Sequence, residues 1–219
     1  MVVRERFQLD LNELQAKLLE LGRLANEALG NSIEALETQN IELALEVIDD
    51  DAEADALYEE INDFAILLIA KQAPVAIDLR RIIVAIKIAT DIERIADFAV
   101  NVAKSAIRIG KEDLVRPIVQ VKEMYNITSE MLDLSLKAFG EEDVVAAKRV
   151  ADMDDEVDAL YGATIRELLE LNRISNENIA QITQLSFICR YFERAADHVT
   201  TITESIFYLV KGRHYDLNE

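Results

Sequence analysis

Proline and glycine are scarce in this chain, two and six among 219 residues. Turn chemistry that thin disfavours a β-sandwich or barrel, whose many short strands need frequent Gly- and Pro-bearing turns. A single cysteine, Cys189, excludes an internal disulfide framework and any thiolate zinc cluster. Set in an apolar stretch, it reads as inert core. Long apolar runs are missing too. The longest, Phe64–Ala70, falls far short of the ~20 residues that span a bilayer. The opening Met-Val-Val-Arg-Glu-Arg-Phe has no apolar signal-peptide core, so a soluble, cytoplasmic protein without membrane insertion is expected. Positive charge is the minority, 23 Lys and Arg against 42 Asp and Glu, a formal charge of −19. Such a surface repels phosphate backbones and anionic membranes, which excludes nucleic acid as the main partner. Most of the acid excess is accounted for by solubility.

What the chain does have is apolar residues, 51% of the total, at helical spacing. Leu11, Leu14, Leu18, Leu21, Ala25 and Ala28 recur at steps of three and four, continued by Leu29, Ile33 and Leu36. Leu114, Ile118, Val121, Tyr125, Thr128, Leu132, Ser135 and Phe139 form a second stripe. Both are apolar seams of long amphipathic helices. Asp10 with Glu13 reads as a capping box for the first helix. Asn40 caps a second that runs to about Lys71, and Pro74 separates it from a third ending near Gly110. Asp113 is expected to cap a fourth, with Pro117 in its first turn, and Gly140 to end it. A fifth runs to about Asn172 and a sixth from Ser175 to around Gly212. Six helices with short links make antiparallel neighbours.

The sequence also repeats itself. Shifted by 103, residues 47–58 fall on 150–161 with eight of twelve positions identical, among them Asp51/Asp154, Asp55/Asp158 and Tyr58/Tyr161. Shifted by 100, residues 88–106 fall on 188–206, matching Glu93/Glu193, Arg94/Arg194 and Asp97/Asp197. The expected fold is therefore all-α: two tandem three-helix bundles with pseudo-twofold symmetry, residues 1–110 and 111–219, forming one compact unit.

Four acid pairs recur at spacing four: Asp51 with Asp55, Glu93 with Asp97, Asp154 with Asp158, and Glu193 with Asp197. On a helix each pair lies on one face about a turn apart, where like charges repel. The pairs in each repeat are equidistant from a turn, Pro74 in the first and Ser175 with Asn176 in the second. In an antiparallel hairpin they therefore stand at one height. Four converged carboxylates need a cation or raised pKa values. Their oxygens suit magnesium, calcium, manganese or ferric iron. On spacing alone a cation site and a set of solvated acids paired with Arg94 and Arg194 both stay open. Asn101 and Thr201, one turn on, would add neutral oxygens, and the two arginines would balance charge. A ferritin-like diiron site would need Glu-x-x-His, which the chain lacks. Its two histidines are His198, beside Asp197, and His214. No Gly-rich phosphate loop, nucleophile elbow or Cys/His dyad is present, so no catalytic residue is assigned.

At these residues the chain resembles the PhoU family, regulators of phosphate uptake. The resemblance rests on Ile69-Ala-Lys-Gln-Ala-Pro-Val-Ala-Ile-Asp-Leu-Arg80 and Asp91-Ile-Glu-Arg-Ile-Ala-Asp97 in the first repeat. In the second it rests on Phe192-Glu-Arg-Ala-Ala-Asp197 and Ile206-Phe-Tyr-Leu-Val-Lys-Gly212. It implies a PhoU-like pair of bundles, metal clusters in some members, and no catalysis. The metal expected is a hard divalent or trivalent ion (iron, manganese, magnesium, calcium or zinc), alone or in multinuclear clusters. The partners it implies are the ATPase subunit of a phosphate ABC transporter and a phosphate-sensing histidine kinase, both restrained when phosphate is plentiful. A homodimer through an exposed helical seam is a further expectation. Ala96 and Ala196 stand where the family usually has glycine, and Thr90 and Asp91 have Arg190 and Tyr191 as their equivalents in the second repeat. The second repeat has no counterpart of Asp78-Leu79-Arg80, so unequal metal sites are expected. A metal-dependent hydrolase or oxidase and a metal-free scaffold remain as alternative readings.

Overall fold

The computed structural model describes residues 2–116, 118–174, 178–215 and 217. Among them are six α-helices and no strand: α1 (Val2–Thr38), α2 (Ile41–Gln72), α3 (Ala76–Ile109), α4 (Val119–Glu141), α5 (Val144–Ile174) and α6 (Ile179–Lys211). Helices α1–α3 pack on one another, as do α4–α6, and α3 lies along α6 in the most extensive helix contact of all. α2 and α5 are outermost, each touching only helices of its own repeat. The first apolar stripe is buried as expected, with Leu18, Leu21, Ala25 and Leu29 fully enclosed.

Two sequence expectations about helix starts are corrected. Asp10 and Glu13 form no capping box, because α1 begins at Val2 and passes through both. Nothing between Val2 and Asp10 stops a helix: that stretch has no Gly or Pro. Asp113 does not cap α4, which starts at Val119 with no side-chain cap. Leu114 and Ile118 of the second stripe therefore precede the helix, although Ile118 is still buried. Asp113 instead lies in the connection, where its carbonyl accepts a 3.2 Å bond from Gln181 Nε2. Pro117, Ser175 and Asn176 lie outside the described residues.

The Asn40 cap is present: its Oδ1 accepts from Leu43 N at 3.2 Å. Its counterpart 103 residues on, Asp143, caps α5 through Val145 N and Ala146 N at 2.8 and 3.1 Å. The preceding residues, Gln39 and Glu142, both take positive φ, 53° and 52°. One loop geometry is thus used twice with different side chains. Gly140 does not end α4, which continues to Glu141. A Cβ there would lie 2.6 Å from Gln15 Nε2 and would push that side chain aside.

α3 and α6 run antiparallel. Arg80 Nη1 donates to Leu209 O at 3.0 Å at one end, and Val115 N donates to Gln181 Oε1 at 2.6 Å beyond the other. Midway, Phe98 and His198, equivalent under the repeat, approach to 5.7 Å between ring centroids. The pseudo-twofold axis therefore passes between them.

Candidate metal centres at the acid clusters

Each hairpin brings its two acid pairs together. In the first repeat Asp51 and Asp55 project from α2, Glu93 and Asp97 from α3. Burial pushes the Glu93 carboxyl upward, and the charges of Asp97, Asp55 and Asp51 add to it while Arg94 opposes. Asp51 is raised in the same way, by burial and then by Asp55 and Asp97, against Lys104. All four carboxylates thus lie in one another's fields.

The second group is buried more deeply. Asp154 is 6% exposed, and burial, then Asp197 and Asp158, push it up to about 7. Glu193, 8% exposed, is raised by burial and Asp197, against Arg190. Asp197 is raised by burial and Asp158, against Arg190, His198 and Arg194. Two oxygens here, Asp154 Oδ1 and Glu193 Oε2, are buried without a hydrogen bond of standard geometry, although the neighbouring Thr200 hydroxyl lies close enough to Asp154 to hold its carboxyl down in part. Leaving a buried carboxylate oxygen unmatched costs more than leaving a neutral group so.

All eight acids named from the sequence are therefore brought together, four per repeat. As the side chains stand, no three Asp, Glu, His or Cys among the described residues converge closely enough to form a ready-made metal group. Guanidinium groups occupy part of each cluster instead. Arg94 Nη1 lies 2.8 Å from Asp97 Oδ2, and its Nε 3.4 Å from Glu93 Oε2. In the second repeat that task falls to Arg190, which donates through Nη1 to Glu193 Oε1. Arg194 has turned away, its guanidinium 4.9 Å over the Phe98 ring. Arg94 has His198 rather than phenylalanine as its equivalent neighbour, a poorer surface for a cation. The role of Arg190 had one trace in the sequence, its spacing of three from Glu193.

The neutral neighbours are tied to the backbone of the acids they follow. Asn101 Nδ2 and Thr201 Oγ1 donate back to the carbonyls of Asp97 and Asp197, at 2.9 and 3.2 Å. His198 belongs to the seam, its Nδ1 3.0 Å from Asp91 Oδ1. That bond is the pseudo-equivalent of the Phe98–Tyr191 ring contact at 6.3 Å. The donor set still fits a hard cation: all-oxygen, from two helices, with raised carboxyls and two unmatched buried oxygens. A cleft of about 1080 Å³ between α1 and α4 is lined by none of the eight acids. No described helix is long and apolar enough to cross a membrane.

Six helices in two like bundles, each with an acid quartet across its hairpin, define a duplicated helical protein with paired carboxylate sites. The PhoU domain family matches residues 18–106 and 121–206. A PhoU homolog of the phosphate-specific transport system from Clostridium acetobutylicum is 37% identical over 219 residues, all of both chains. The corresponding accessory protein from Aquifex aeolicus is 37% identical across 96% of each chain. The crystal structure of PhoU from Pseudomonas aeruginosa superposes with a TM-score of 0.90 at 30% identity, covering 94% of this chain and all of that one. The PhoU structure from Streptococcus pneumoniae gives 0.90 at 29% identity, covering 96% and 99%. The chain belongs to the PhoU family.

Proposed function

We propose that this chain is a cytoplasmic, metal-binding regulator of phosphate uptake that acts by contact rather than catalysis. It restrains a phosphate ABC transporter and its phosphate-starvation two-component signalling when phosphate is plentiful. The observation that carries the regulatory reading is end-to-end likeness to proteins named as accessory proteins of the phosphate-specific transport system. The partner contacted is the transporter's ATPase subunit or the sensor histidine kinase. The metal part of the reading is supported by the unmatched buried oxygens of Asp154 and Glu193. Asp51, Asp55, Glu93 and Asp97 would hold one centre, and Asp154, Asp158, Glu193 and Asp197 the other. A bound cation would supply positive charge between α2 and α3, and between α5 and α6, where the protein now sets carboxylate against carboxylate. Its binding to the folded state stabilises the hairpins by mass action.

Deleting the gene tests the regulatory reading. Phosphate-starvation genes are expected to stay on in phosphate-rich medium, and normal repression in the deletion strain would contradict it. The rival reading, a multinuclear hydrolase, predicts phosphatase turnover by manganese- or iron-loaded protein that vanishes in Glu93→Ala.

A further inference from the structure

The two acid quartets are built from equivalent residues, but their surroundings break the symmetry in a consistent way. Position 90 is Thr in the first repeat and its equivalent is Arg190 in the second. Thr90 Oγ1 donates to Ile86 O at 3.0 Å and stands 3.5 Å from the hydroxyl of Tyr58. It offers the acids no charge. Arg190 lies against Tyr161, the equivalent of Tyr58, with its guanidinium 6.0 Å from the ring centre, and pairs with Glu193 Oε1. The Glu193 side chain is 11% exposed, so this pair engages a buried acid of its quartet.

Arg94 holds a different place in the first quartet. Its closer partner is Asp97, whose side chain is 42% exposed, and Glu93 is 3.4 Å away. Asp51 and Asp55 are left to offer oxygens, and Glu93 is held only by the longer contact to Arg94 Nε. Lys104 also faces Asp51, and its equivalent is Glu204, which is taken up by Leu217 N at 3.0 Å. In the second quartet the guanidinium already holds one oxygen of the acid whose other oxygen is buried and unmatched. A metal ion drawing on both oxygens of Glu193 must displace it. An ion using Oε2 alone, with Asp154 Oδ1, sits beside a fixed positive charge.

We propose that Arg190 is a resident counter-cation of the second quartet that competes with a metal ion for Glu193, making the two repeats unequal sites with the second the weaker. This rests on the metal-binding reading above and adds a residue that sets the ratio between its two sites. The guanidinium does so without being a ligand, since it has no lone pair to donate. Being half exposed, it is partly screened, and against a doubly charged ion its removal is worth about tenfold in affinity rather than more.

The test is calorimetric titration of the full chain, stripped of metal, with manganese(II). The wild type is expected to give two classes of site, the weaker lost in Glu193→Gln/Asp197→Asn. Arg190→Gln should tighten the weaker class about tenfold and leave the tighter one unchanged. Arg190→Lys, which keeps the charge, should restore most of the wild-type weakness, and Thr90→Arg should weaken the tighter class. Because the Arg190 side chain is about half exposed, its variants are expected to fold, which helical circular dichroism checks. Two classes indifferent to Arg190→Gln would overturn the role of Arg190 alone. Absence of manganese binding in every protein would overturn the metal reading itself, and this inference with it.

Discussion

Burial and its carboxylate neighbours push Asp154 up to about 7, so below neutrality the folded protein holds a proton there that the unfolded chain has released. In the unfolded chain such a group titrates near ~4. Between those values the native state binds more protons, so its stability falls as pH rises through the window and levels off above ~7. The raised carboxyls of Asp51, Glu93, Glu193 and Asp197 act in the same direction. Asp154→Asn keeps the shape and removes the charge. In chelator at pH 8 it is expected to stabilise the protein by ~1–3 kcal/mol and to flatten the dependence between pH 4 and 7. Urea melts across that range check this; destabilisation at pH 8 would contradict it. Cys189 is the opposite kind of buried group, a thiol pushed up to about 12 by burial that stays protonated and inert.

At the scale of the helices, duplication shows most clearly where the side chains differ. Asn40 and Asp143 cap α2 and α5 after residues of nearly the same positive φ. Asn40→Ala and Asp143→Ala should each cost about 1 kcal/mol in denaturant melts, and the two losses should be alike. A negligible effect of either would mean that the loop is set by packing rather than by its cap. The same comparison explains what the sequence could tell. Six helices, two bundles and the height at which the acids meet follow from apolar spacing and from the distance of each pair to its turn. Capping was legible at Asn40, which directly precedes its helix. It misled at Asp10 and Asp113, because a capping residue is informative only where the backbone is free to stop. The seam was not legible. That Phe98 meets His198, that His198 binds Asp91, and that Arg194 lies over the Phe98 ring depend on how α3 lies along α6, which periodicity within either helix does not encode.

For the molecule as a whole, we propose that the eight acids hold cations rather than form a solvated face. Each quartet spans an outer and an inner helix, α2 with α3 and α5 with α6, and the inner pair forms the seam between repeats. Charge neutralised within a quartet therefore bears on the hairpin directly and on the α3–α6 contact at one remove. That arrangement fits the proposed action by contact. The decisive measurement is elemental analysis of protein purified without chelator or affinity tag, made alongside Glu93→Gln/Asp97→Asn and Glu193→Gln/Asp197→Asn. Bound metal is expected in the wild type, with a different part of it lost in each double variant and the remainder removed when both are combined. Metal content that is nil in the wild type, or the same in all four proteins, would contradict the account.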